Sequence, residues 1–226
     1  MLATLTGAMQ IVKHLKANGA NIELLDNFGR TAFQIALMYS YEDPDYAEKT
    51  IVEVYDLLRP DSFKVKINNR MVKIDNHQAE FFMLNFMIAN LRGIMTEKIK
   101  VSIPAFETAD FLQVLDFYSP SVISAYRRKR SYLSSILSKN EYLRPDKYNK
   151  RIFFRIKQGF YLPNPLMELL IDDEWVNVYK LVGIDDLLNS PVPWLKNLGD
   201  YIERMKTQML EEDAKQEAGE TPSVSW

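Results

Sequence analysis

Two N-terminal segments of this 226-residue chain repeat one another, and a repeat constrains a fold more tightly than any average over composition. Ala3 to Ala36 spans 36 − 3 = 33 residues, while Ile11 to Ile51 spans 51 − 11 = 40. The surplus of 40 − 33 = 7 falls in Tyr39-Ser40-Tyr41-Glu42-Asp43-Pro44-Asp45-Tyr46. That Pro- and acid-containing stretch reads as an inserted loop, over 39–49. Gly19 follows the first helical pattern as a C-terminal cap, where a positive φ costs Gly little. Asp26-Asn27-Phe28-Gly29 predicts a tight projecting turn, Thr31 is placed to cap the next helix, and Ala36 permits close helix–helix approach.

These residues, over about 2–59, resemble the ankyrin repeat family. The family's Thr-Pro-Leu-His stands here as Thr31-Ala32-Phe33-Gln34, so the repeat is divergent. The resemblance implies stacked helix pairs with a protein-binding surface, to which Phe28, Arg30, Tyr39, Tyr41 and Tyr46 are assigned. The chain starts near the end of a repeat's first helix, so further repeats are expected before Met1. After the repeat, 63–67 and 71–74 alternate around Asn68-Asn69-Arg70 and predict a β-hairpin. Asp75 with Gln78 then caps a helix over 78–92. That helix is apolar on most sides, yet short of the ~20 residues a membrane span needs, and so reads as a buried core helix.

The formal net charge of −2 conceals a polarity. Residues 121–160 hold eleven cations against Glu141 and Asp146, a local charge of 11 − 2 = +9, leaving −2 − 9 = −11 elsewhere. Such asymmetry points to an anionic partner. Asp110–Tyr118 reads as a short helix ended by Ser119-Pro120. A second helical stripe through Val122, Ile123, Tyr126, Leu133, Ile136 and Leu137 would also bury Lys129. A turn near Arg128–Ser131 avoids that cost and gives two short helices with a basic junction. Ile152, Phe154 and Ile156 then face one way and Arg151, Phe153, Arg155 and Lys157 the other, turning at Gln158-Gly159.

Helix, helix and basic hairpin, with Arg155, Gly159 and Tyr161 in the hairpin, resemble a winged helix-turn-helix domain over about 105–165. The resemblance implies nucleic-acid contact through Arg127, Arg128, Arg130, Ser131, Arg151, Arg155 and Lys157, mostly to phosphates. Winged helices also serve as protein-binding modules, and the acidic remainder of the chain is an alternative partner for the block.

The expected fold is mainly α with small β-hairpins (α+β), in three parts. An ankyrin-type stack with a hairpin and helix cap covers 1–98. A basic winged-helix-like module covers 99–197, and a C-terminal helix with a disordered tail covers 198–226. Met167–Ile171 and Trp175–Tyr179 flank Asp172-Asp173-Glu174 as a hairpin or as a strand running into a helix. Those acids lack the companion oxygens a cation site needs. Zero Cys leaves no thiol nucleophile or zinc finger, two distant His, His14 and His77, leave little for a His-based metal site or a Ser-His-Asp relay, and no Gly-rich phosphate loop is present. The expectation is therefore a non-enzyme without cofactor or metal, cytoplasmic and not in a membrane. It acts as an adaptor binding a protein partner and an anionic one, DNA or RNA among them. The alternative is a pure protein-interaction scaffold or bacterial effector domain that binds no nucleic acid.

Overall fold

The computed structural model describes residues 1–97, 103–144, 146–189 and 191–217. Two short helices, α1 (Leu2–Leu5) and α2 (Met9–Ala17), precede α3 (Ala32–Glu42), α4 (Pro44–Lys49) and α5 (Ile51–Leu58). Helix α1 lies against α3 and α2 against α5, so the repeated segments stack pair on pair. Local chemistry accounts for their boundaries. Gly19 takes φ +79 just past α2. The Thr31 and Gln34 side chains exchange hydrogen bonds with each other's backbone N–H groups and start α3 as a capping box. The segment expected to be an inserted loop at 39–49 is instead helical. The Asp43 carboxylate accepts from Tyr46 N, and Pro44 occupies the first position of α4, where its missing N–H costs nothing.

Strands β1 (Ser62–Ile67) and β2 (Arg70–Asp75) form the expected hairpin, with Asn68 at φ 52 in its turn. Helix α6 (Ala79–Glu97) follows, and residues 81–91 are buried without a break. The chain continues through α7 (Thr108–Leu115), a 3₁₀ turn at Ala125–Arg128 and α8 (Arg130–Lys139). The predicted break at the basic junction is therefore present. Lys129 lies outside both helices and over the Tyr126 ring, 5.7 Å from its centroid. Strands β3 (Phe153–Lys157) and β4 (Phe160–Pro163) pair around Gly159, at φ +86. Phe106 adds an antiparallel bridge to Tyr161 of β4.

Strands β5 (Met167–Ile171) and β6 (Glu174–Asn177) pair around Asp172 and Asp173, both at positive φ. Those two acids thus make the reversal of a two-residue hairpin loop. Short helices α9 (Val178–Leu181) and α10 (Asp185–Leu188) lead to α11 (Pro193–Glu217), which begins ahead of the expected start at 198. Residues beyond 217, where a disordered tail was expected, lie outside the described residues.

Helices and sheet are mixed, as expected, but the sheet crosses the expected parts. Its order is β2-β1-β5-β6, with Val65 opposite Leu169. A continuous set of buried apolar side chains runs from Met9 through α6 to Ile202. The turn at 26–29 is drawn into this body. A Cβ on Gly29 would lie 2.2 Å from Leu181 Cγ, so only Gly lets the turn seat against α9. A second, smaller cluster of Tyr142, Phe154 and Met209 fastens α11 to the outside of the β3–β4 hairpin.

Candidate nucleic-acid and partner-binding surfaces

Helix α8 buries Leu133 and Leu137. At ~100° per residue the opposite face carries Ser131, Ser134, Ser135 and Ser138. Four serines gain nothing for a helix interior, since each hydroxyl competes for backbone groups. The start of the helix is more unusual. Lys129 is the N-cap and makes no side-chain cap bond, Arg130 follows it, and no acid occupies the first turn. Cations at this end oppose the helix dipole by about 0.3–1 kcal/mol each.

The basic residues divide into two groups. Three face carboxylates: Lys150 meets Glu80 at 2.8 Å, Arg151 meets Asp213 at 2.7 Å, and Arg155 meets Glu141 at 3.3 Å. Arg151 also stacks on the Tyr142 ring and adopts φ 57. Two of these three acids come from outside the basic block, so part of the +9 is balanced across the fold. Arg128 turns inward, its Nε donating to Ile123 O, and desolvation lowers its pKa. The second group meets no carboxylate among the described residues. Arg127 is half-buried, Lys157 is exposed, and Arg130 donates only to Thr108 Oγ1 at 3.2 Å.

A short chain of contacts joins α8 to the hairpin. Arg144 Nη1 donates to Ser138 Oγ at 2.7 Å, and its charge reaches Glu141, which holds Arg155. Arg130, Ser131, Ser134, Ser138, Arg144 and Arg155 therefore follow one another along a strip. Burial raises the Glu141 pKa, against the pull of Arg155 and then Arg144. Of the residues expected to contact nucleic acid, Arg130, Ser131 and Arg155 fall on this strip. Arg127 lies at the junction before it, Lys157 at the hairpin end, and Arg128 and Arg151 are engaged within the fold. Arg144 and Ser138 were missed, because their position depends on how the 141–151 loop returns to α8.

The residues expected to bind protein divide as well. Phe28, Arg30 and Tyr41 line one groove of about 640 Å³ between the 26–30 turn, α3 and α6. Arg30 and Arg92 each place a guanidinium 5.2 Å from the Phe28 ring centroid. Asp26 holds Arg30 through two hydrogen bonds, of 3.0 and 2.7 Å. Tyr39 and Tyr46 are elsewhere, edge to face at 5.0 Å, with Tyr46 buried and its hydroxyl donating to Thr4 O. Those two rings hold α4 to the first helix pair. Arg92, Asn90 and Gly93 of α6 also line the groove. A core helix read over 78–92 as apolar on most sides gave no signal that its C-terminal end would line a groove.

Among the described residues no three His, Asp or Glu side chains gather as a metal site, and no helix is long and apolar enough to cross a membrane. Comparison with protein-family models, curated proteins and solved structures finds no match to this chain.

Proposed function

We propose that the chain is a non-catalytic adaptor that holds a nucleic-acid backbone along the α8–hairpin strip and a protein partner beside the repeat. The observation that carries the nucleic-acid half is the start of α8. Lys129 and Arg130, preceded by Arg127, stand where stability calls for Asp, Ser or Thr. A phosphate there receives free backbone N–H groups, the positive end of the helix and the cations together. The serine face supplies further hydroxyl donors. The order α6, Phe106 bridge, α7, α8 and β3–β4 hairpin supports the winged-helix resemblance, and the paired stacking of α1–α2 on α3–α5 supports the ankyrin one. An α8 lying in a major groove would set Ser131 and Ser134 toward the base edges.

The test uses a substitution whose two effects have opposite sign. Lys129 has extended backbone, φ −75 and ψ 134, the geometry of a good N-cap. Lys129→Asp should raise stability by about 0.5–2 kcal/mol through capping. It should also weaken binding to random-sequence DNA or RNA at ~50 mM salt, with the wild-type affinity falling linearly in log salt. Charge reversal at Arg130 and Arg144 should weaken binding further. A chain that binds neither nucleic acid at that salt, or binds equally after Lys129→Asp, contradicts the proposal.

A further inference from the structure

Gly93 sits in the interior of α6, where Gly is less favourable than Ala by about 0.5–1 kcal/mol. Its φ is not positive, so no turn or cap requires it. A Cβ placed on it would meet no atom within 4 Å. The residue is therefore tolerated without any internal packing reason, and what it leaves clear is the floor of the groove beside the 26–30 turn. A second observation concerns Asn90, one turn away on the same helix. It is 5 % exposed, and its Nδ2 donates to Phe86 O, while its Oδ1 takes no hydrogen bond from the described residues. Asn90 is one of the residues that line the groove. On the near wall, Arg92 donates one N–H to Gly183 O at 2.6 Å and lies against Phe28, with no carboxylate partner among the described residues.

We infer that this groove binds an extended peptide segment of a partner protein that carries a carboxylate. This rests on the protein-binding half of the adaptor reading and gives that half a location and a ligand chemistry. The peptide backbone donates an N–H to Asn90 Oδ1. Its carboxylate pairs with Arg92, in a rigid fork that the Phe28 ring supports from one side. A small or flat side chain lies over Gly93, where a Cβ from the helix would otherwise stand. The groove's volume of about 640 Å³ accommodates several residues.

The test is an array of dodecapeptides with Glu fixed at the sixth position, and the same array with Gln there, probed with the full chain. Glu-fixed members should bind and their Gln counterparts should bind at least tenfold more weakly. Gly93→Trp and, as a smaller filling, Gly93→Leu should each lower affinity for the selected peptides at least tenfold. Arg92→Gln should remove the preference for Glu over Gln. Gly93→Ala should raise the Tm, and all Gly93 variants should retain wild-type circular dichroism and wild-type affinity for random-sequence DNA. That last comparison separates the two surfaces, since loss of DNA binding alone touches only the α8 strip. Arrays without binders overturn the inference, as does binding unchanged by both fillings or equal binding of Glu and Gln peptides. A self-association abolished by Gly93→Trp, with no peptide bound, would assign the groove to a second copy and equally overturn it.

Discussion

Glu141 is 5 % exposed and, among the described residues, has a single cation, Arg155, within ion-pair distance, at 3.3 Å through the guanidinium Nε. Burial lifts its pKa above that of an ordinary carboxylate, and the attraction of Arg155 and Arg144 only partly offsets it. The folded state therefore binds this proton more tightly than the unfolded chain does. The resulting stabilisation is present at acid pH and is lost as pH rises through the raised pKa. At neutral pH the ionised side chain is a cost. Glu141→Gln should raise the Tm at pH 7, and the difference from wild type should shrink as pH falls through the carboxylate range. A scan of Tm against pH for both proteins decides it. Arg155 keeps contact with water once its partner is gone, its side chain being 43 % exposed, so it incurs little penalty. The same substitution removes the negative charge from the strip and should strengthen nucleic-acid binding at low salt.

Helix α11 illustrates how an element acts through a second face. Phe154 is 1 % exposed even though its neighbour Phe153 fills the main core, so both faces of β3 are covered. The outer cover comes from Tyr201, Met205 and Met209, with the Tyr142 hydroxyl donating to Met209 O and Asp213 holding Arg151 and Asn68. Phe154→Ala should cost about 3–5 kcal/mol, as a buried ring does in a well-packed site. Urea unfolding measures it, and a cost near zero would mean that α11 does not cover the hairpin in solution. Strict alternation along 151–157 placed Phe154 correctly on one face, yet alternation describes a half-buried strand and gives no hint of a second cover. The elements whose signals are local were legible: the Thr31 cap, the hairpins turning at Asn68 and Gly159, the buried α6 and the break before α8. Arg130, Ser131 and Arg155 followed from them. The partners that engage Arg151 and Lys150 did not, because Asp213 and Glu80 lie 62 and 70 residues away in sequence. Asn90 and Gly93 were hidden by the same distance, since the turn and helix that form the groove meet only in the folded chain.

Over the whole molecule, the division at residue 98 cuts a sheet. Strand β1 lies between β2, from its own hairpin, and β5, from beyond α8. A fragment of residues 1–98 would leave Val65 and Ile67 without the cover of β5 and α6 without the cover of Phe106 and Phe111. It should show no cooperative unfolding transition, whereas residues 1–217 should unfold in a single step, by both circular dichroism and tyrosine fluorescence. A fragment that melts sharply by itself would restore the division. The opposed charges of the sequence gain a spatial meaning at this scale. Acids outside the basic block neutralise its inner cations and leave the α8 end to face outward.

The pairing of Val65 with Leu169 also sets a schedule for the growing polypeptide. The two residues are 169 − 65 = 104 apart, so at a synthesis rate of roughly 5–20 residues per second β1 waits on the order of 5–20 seconds for its neighbour. Throughout that interval the inner edge of β1, with Val65 and Ile67, offers unsatisfied backbone groups to any strand that approaches. Closing so long a loop is also slow in refolding, since its entropy is lost before the contacts are gained. The ribosome-bound intermediate is thus the form of this protein most exposed to misassembly, and the one on which a chaperone would act.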